Sequence, residues 1–183
     1  ALDAGADMVN DVWGLQMDPA MASMVADRGV SVVLMHNRAK PRDEASLARL
    51  ALAGRPVGHD YENLVTDILR ELRQLVHHAE QAGIARERII IDPGIGFGKT
   101  PHQNLALLNH LDALRVLGLP ILLGTSRKSF IGLTLDSPPE DRLEGTAASV
   151  ALGIARGANI VRVHDVAAMT RVARMSDAVL QSR

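Results

Sequence analysis

The run Ile89-Ile90-Ile91-Asp92-Pro93-Gly94-Ile95-Gly96-Phe97-Gly98-Lys99-Thr100 constrains the fold more than any other stretch of the chain. Consecutive β-branched residues without polar alternation describe a strand covered on both faces, the environment of a parallel sheet flanked by helices. Pro93 offers no N–H to a ladder, so the strand ends at Asp92. Glycines 94, 96 and 98 then let the backbone turn sharply and lie close to a ligand. A carboxylate at the carboxyl end of a buried parallel strand stands where α/β folds carry their chemistry. The plainer alternative is that Asp92 only caps the loop.

Two nucleotide-binding motifs fail here on spacing. A P-loop needs four residues between its glycines, and only three separate Gly94 from Gly98. A dinucleotide fingerprint needs glycine where Lys99 stands. Neither ATP nor NAD binding is expected.

The same alternation of buried strand and helix runs along the chain. Met8–Asp11, Ser31–Met35, Ile89–Asp92, Pro120–Gly124 and Ile160–His164 read as strands. Helices are expected from Pro19 to about Arg28, Tyr61 to Gln81 and Gln103 to Leu117. Others should start near Ser129, run from a Ser137 cap through Thr146–Arg156, and run from an Asp165 cap to about Leu180. The Pro-, Gly- and charge-rich stretch between Ala39 and Asp60 carries one possible short helix near Ala45–Ala53 and is long for a loop. Strand–helix repetition implies parallel strands with right-handed crossovers.

Polar residues gather at the strand ends: Asn10 and Asp11, Met35 and His36, Asp92, Ser126 to Ser129, Arg162 and His164. In a (β/α)8 TIM barrel all such ends face one mouth, whereas an open doubly wound sheet concentrates its site at one switch point. The barrel is therefore the expected fold, and a five-stranded doubly wound sheet is the alternative.

Composition narrows the function. A length of 183 residues fits one domain, and 47% hydrophobic content with 2% aromatics implies an aliphatic core. A net charge of −1 gives no reason to expect nucleic acid or an anionic membrane as partner. The absence of cysteine removes disulfides and thiolate metal sites. No apolar run approaches the roughly 18 residues of a membrane span, and no signal peptide is visible, so a cytoplasmic location is expected. The chain does not start with Met, and Ala1–Gly5 reads as the last turn of a helix stopped by Gly5. A fragment of a longer protein is therefore expected.

The strand-end residues suggest a chemistry. Asp92 with Asn10 suits a ligand edge carrying adjacent N–H donors, such as the 2-amino-4-oxo edge of a pterin or guanine. Lys128, beside Gly124-Thr125-Ser126, suits a ring carbonyl; otherwise it is a surface lysine. Arg162 and His164 lie two apart on a strand and share a face, which suits a phosphate or pyrophosphate. The alternative for that pair is an ion pair with Asp165. Ser129, at a helix start, suits a second anion. Adjacent His77 and His78 point about 100° apart and read as solvated surface.

Five motifs in this order resemble the dihydropteroate synthase family across essentially the whole chain. They are Asn10-Asp11-Val12, Leu34-Met35-His36, Asp92-Pro93-Gly94-Ile95-Gly96-Phe97-Gly98-Lys99, Gly124-Thr125-Ser126-Arg127-Lys128-Ser129 and Val161-Arg162-Val163-His164-Asp165. The resemblance implies a barrel that joins 6-hydroxymethyl-7,8-dihydropterin diphosphate to 4-aminobenzoate, giving 7,8-dihydropteroate and pyrophosphate in folate synthesis. It further implies that Asn10 and Asp92 bind the pterin edge, that Met35 contacts the ring, and that Lys128 binds it. Arg162 packs on the ring and helps with the diphosphate, which His164 also binds. Phe97 and Gly124 line the pocket, and Ser129 lies near the aminobenzoate carboxylate.

The family has three further strand–helix units before this point. They carry the asparagine that holds Mg2+ with the diphosphate, two mobile loops and a further pterin-binding aspartate. By that resemblance residues 1–183 are one partial barrel domain with the last five units, the Mg2+ ligand lies outside it, and the intact protein is a homodimer. A methyltetrahydrofolate:corrinoid methyltransferase and a non-catalytic pterin-binding paralogue are the alternatives.

Overall fold

The apolar runs pair as parallel strands in chain order. A computed structural model of the chain describes residues 1–38 and 60–182, so the short helix expected at 45–53 lies outside the described residues. The strands are β1 (Met8–Asp11), β2 (Ser31–Met35), β3 (Ile89–Asp92), β4 (Leu122–Leu123) and β5 (Ile160–Val161). β1 pairs with β2 and β2 with β3, with Asn10 opposite Val33 and Met35 opposite Asp92. A parallel bridge from Ile91 to Ile121 carries the sheet on to β4, which pairs with β5.

Each strand thus lies beside its neighbours in sequence, with no reversal of order among the described residues. A doubly wound sheet requires such a reversal, so that alternative falls. The architecture is five consecutive βα units of a (β/α)8 barrel. β4 and β5 are shorter than the sequence suggested, because Pro120 has no N–H to give and offers only its carbonyl, to the Ile91 N–H at 2.9 Å.

The helices are α1 (Met21–Arg28), α2 (Leu64–Gln81), α3 (Pro101–Asn109), α4 (Ser129–Leu135), α5 (Leu143–Ala155) and α6 (Val166–Gln181). Their apolar stripes cover one face of the sheet, where Val32, Leu34, Ile89, Ile91, Ile121 and Leu123 join the main core. On α2 the buried row is Ile68, Leu72, Leu75 and Ala79. Burying each of its Ile or Leu side chains contributes roughly 1.5–3 kcal/mol. On the opposite face Val33, Ile90 and Leu122 form a second, smaller cluster with Ile160, which is the barrel interior. His77 and His78 are exposed, as expected.

Two helix expectations change. The helix expected over Gln103–Leu117 breaks at His110: α3 ends at Asn109, and a 3₁₀ helix spans Leu111–Leu117. Leu111, Leu114 and Leu117 are buried and three apart, which a three-residue turn aligns in one row. Leu105, on the apolar face read from sequence, is exposed instead. Ser137 does not cap a helix. Its hydroxyl is buried without a hydrogen-bond partner among the described residues, because Pro139 removes one of the amides it would cap, and α5 starts only at Leu143.

A polar brace ties α2 to the end of β2. Nε2 of His36 lies 3.0 Å from Oε2 of Glu71, and Arg38 donates to both Glu71 oxygens. The Arg38 guanidinium also stacks 4.0 Å above the Tyr61 ring. Burial pulls His36 down to about 4, and the bond to Glu71 only partly offsets it. Burial alone would push Glu71 up, but its bonds to His36 and Arg38 outweigh that and hold it at about 2. No helix among the described residues is long and apolar enough to cross a membrane.

The brace makes stability acid-sensitive. Between the ordinary histidine value of 6.5 and about 4, His36 binds its proton only in the unfolded chain. Stability therefore falls as pH drops through that window. The Glu71 contribution is present above 4.5 and is lost as pH falls towards about 2, in the same direction. Thermal melts should shift down continuously from pH 6.5 to about 4, and His36→Asn should flatten that slope. A melt independent of pH across this window would refute the assignment.

β1 and β5 are the two ends of the sheet, and Met8 on the interior face is 43% exposed. Unpaired strand edges beside apolar surface favour association between chains. Residues 1–183 expressed alone are expected to self-associate in size-exclusion chromatography. A monomer with one sharp melting transition would contradict this.

Candidate functional site

Strand alternation brings the sequence-selected residues onto one face. Asn10, Met35, Asp92, Gly124 and Arg162 share the parity of the interior residues Val33, Ile90, Leu122 and Ile160, each at the carboxyl end of its strand. Asn10 is exposed there, whereas Met35 and Asp92 are buried. Asp11 has the other parity and a different task. Its carboxylate accepts the Trp13 N–H at 3.0 Å and the Leu15 N–H at 2.6 Å, capping the turn after β1.

The loop after β3 is shaped by close approach. Gly94 has φ of 71° and Gly96 φ of 82°, both in the left-handed region. A Cβ on Gly94 would overlap the His36 carbonyl, and one on Gly96 would fall 2.8 Å from the Lys128 Cδ. The loop therefore rests against the end of β2 and clasps the stem of Lys128. The Lys128 ammonium donates to the Ile95 carbonyl and lies 4.7 Å from the Phe97 ring centroid. Asp92 does cap this loop, accepting the Gly94 N–H at 2.7 Å on Oδ1. That accounts for one oxygen; Oδ2 has no hydrogen-bond partner among the described residues.

Burial pushes the Asp92 carboxyl up, opposed by the Gly94 N–H and then by Lys128, Lys99 and Arg162. Three cations thus act on one carboxylate, yet it forms no ion pair with any of them among the described residues. Burial also lowers Lys128 to about 8, with Asp92 pulling it back up and Arg162 pushing it further down.

Gly124 separates the two exposed-side cations. A Cβ there would sit 3.6 Å from an Arg162 guanidinium nitrogen and 4.0 Å from Lys128 Nζ. The Ser126 hydroxyl accepts the His164 backbone N–H at 3.1 Å and lies 2.9 Å from His164 Nδ1. That contact turns the ring so that Nε2 points away from Ser126. The ion pair considered for Arg162 or His164 goes elsewhere: Asp165 pairs with Arg127, at 2.6 and 3.0 Å. Ser129 lines a cavity of about 480 Å³ with Gly132, Ser137 and Arg142.

Sequence reasoning missed Lys99. Its side chain is fully buried, and Nζ contacts the Gly94 carbonyl at 2.9 Å, the Phe97 carbonyl at 3.1 Å and His36 Nδ1 at 3.1 Å. Asn104 was missed too. Its carbonyl oxygen accepts the Gly96 N–H at 2.7 Å, and its amide donates to the Lys99 and Thr100 carbonyls. The one local signal is Thr100-Pro101 with Gln103, a capping box that fixes where α3 starts and hence where Asn104 points. Among the described residues no group of three or more His, Asp or Glu is placed to hold a metal ion.

The family model described as pterin binding enzyme matches residues 1–164. The chain is 48% identical over 180 residues to a dihydropteroate synthase of Bacillus subtilis, covering 98% of this chain and 57% of the relative. A structure of dihydropteroate synthase from Xanthomonas albilineans in complex with 7,8-dihydropteroate superposes with a TM-score of 0.85 at 40% identity, over 100% of this chain and 62% of that one. An inactive dihydropteroate synthase 2 of Mycobacterium leprae is 37% identical over 183 residues, all of this chain and 60% of the relative. The chain thus spans about three-fifths of the length of these relatives. A glycine loop after β3, a buried carboxylate beneath it and cations on the next two strands fall within the matched residues, and the chain belongs to the pterin binding enzyme family.

Proposed function

We propose that this chain carries the pterin and diphosphate subsites of a dihydropteroate synthase, joining 6-hydroxymethyl-7,8-dihydropterin diphosphate to 4-aminobenzoate. The observation that carries this reading is Asp92: a buried carboxylate with one oxygen on Gly94 and the other without a hydrogen-bond partner among the described residues, within the influence of cations it forms no ion pair with there. A ligand with two adjacent N–H donors and an anionic tail satisfies both sides of that arrangement. Asp92 and Asn10 accept from the pterin edge, Met35 and Phe97 contact the ring, and Lys128 donates to the ring carbonyl. Arg162, over the bare Gly124, and His164 receive the diphosphate. Ser129 is the residue assigned to the aminobenzoate carboxylate.

In the reaction the aniline nitrogen attacks the pterin methylene carbon. The C–N bond forms as the C–O bond to pyrophosphate breaks, and the nitrogen loses its proton. Arg162 and His164 stabilise charge on the departing oxygen, and the remaining contribution is orientation. No covalent enzyme intermediate is needed. Mg2+ belongs to this reading as a diphosphate partner, but among the described residues no group of carboxylates or histidines fits it as a ligand set. The reading includes a single partial-barrel domain over residues 1–183, a cytoplasmic location and a homodimer. Exposed Met175 and Val179 on α6 support the last of these.

The relative named as inactive gives a second reading, in which the chain binds pterin without turnover. Pyrophosphate release decides between them, measured on protein carrying whatever residues the gene encodes beyond 1–183. Release that depends on both substrates supports the synthase, and pterin binding without release supports the second reading.

Asp92→Asn should nearly abolish pterin binding in calorimetry, a loss on the order of 2–5 kcal/mol, because an acceptor becomes a donor facing the ligand's own N–H groups. Undiminished affinity would remove Asp92 from the site. Arg162→Ala should weaken the diphosphate-bearing pterin more than the free hydroxymethyl pterin. Equal losses would mean that Arg162 acts only on the ring.

A further inference from the structure

Lys99 touches none of the residues assigned to the ligand by side-chain contact, yet it holds the loop that holds two of them. Its Nζ meets three acceptors, the Gly94 and Phe97 carbonyls and His36 Nδ1, which match the three N–H groups of an ammonium. The acceptor role of Nδ1 puts the ring proton on Nε2, where it donates to Glu71 at 3.0 Å. Glu71 is held in turn by Arg38. The chain of contacts runs from α2, through the end of β2, to the underside of the glycine loop. There Gly94 gives its N–H to Asp92, and Ile95 gives its carbonyl to Lys128.

We propose that Lys99 is a positioning residue for the pterin subsite, its buried ammonium fixing the Gly94–Gly98 loop so that Asp92 and Lys128 stand in register for one ligand. This rests on the proposed function for the identity of the ligand, but the loop restraint does not. Burial lowers the Lys99 ammonium to about 7, with Asp92 opposing that shift, so burying it is unfavourable unless the loop needs it. An apolar side chain would fill the same volume without that cost, but could not gather two carbonyls and an imidazole on one point. The other side of the loop is held by Asn104, which accepts the Gly96 N–H and donates to the Lys99 carbonyl, so the two braces are joined.

The test compares wild type, Lys99→Met and Glu71→Gln in the complete gene product. Amide hydrogen exchange should accelerate at Gly94, Gly96 and Phe97 in Lys99→Met while Ile90 and Ile91 keep their protection. The dissociation constant for 6-hydroxymethyl pterin should rise about tenfold or more, as expected for loss of hydrogen bonds to a charged group. The KM for 4-aminobenzoate should stay within about twofold. If Lys99→Met does not fold, Glu71→Gln decides. It removes the charge that orients His36 from the outer end of the brace, and it should give the same exchange pattern with a smaller loss of affinity. Unchanged loop exchange, or unchanged pterin affinity in a folded variant, would overturn the proposal. Wild-type protein that binds no pterin would instead sink the proposed function and the ligand named here, with the exchange result still deciding the restraint on the loop.

Discussion

The approach of Gly94 to the His36 carbonyl is the contact on which the site depends. No side chain fits between them, so β3 can turn back over the end of β2 only with glycine there. That turn delivers the Gly94 N–H to Asp92 and brings the next loop carbonyls over Lys99 and under Lys128. Loop closure therefore orders a carboxylate, a ring and a cation together. Catalytic groups set by one such backbone feature need little rearrangement when a ligand arrives.

The electrostatics have the same economy. Lys99, Lys128 and Arg162 all act on Asp92, and none forms an ion pair with it among the described residues. Were Lys128 to collapse onto the carboxylate, both would be lost to a ligand. The Ile95 carbonyl and the Phe97 ring hold Lys128 back. The Asp165 carboxylate, which could have neutralised His164 or Arg162, is engaged by Arg127. Cationic character is thus kept free at the strand ends where an anion is expected.

Much of this was legible in the chain. Unbroken β-branched runs gave five strands, and polar residues at every strand end favoured a barrel over an open sheet. Arg162 and His164 could be assigned to one face because period two is enforced by strand geometry, whereas bringing Asn10, Asp92 and Gly124 to that face took the register between strands. What failed was decided by packing between elements. The break at His110 follows from a three-residue apolar spacing that a helical reading also tolerates. Lys99 looked like a loop lysine, since nothing local says that the loop folds back to bury it. Asp11 stood beside Asn10 among the polar strand-end residues, but its carboxylate is taken by the Trp13 and Leu15 amides.

The order of residues along the chain also fixes how a ligand lies. Acceptors come first, with Asn10 on β1 and Asp92 on β3. Cations come last, with Lys128 after β4 and Arg162 just past β5. Because the strands are parallel and adjacent in sequence order, the acceptors lie at the ends of β1 and β3 and the cations past β4 and β5, with the glycine loop reaching from Asp92 to Lys128. A molecule with a donor edge and an anionic tail has one orientation that satisfies both. Reversed, it would bring its anion to the buried Asp92 and its N–H groups to Arg162, a like-charge contact and a donor-to-donor contact. The polarity proposed for the site is therefore a consequence of chain order on a parallel sheet.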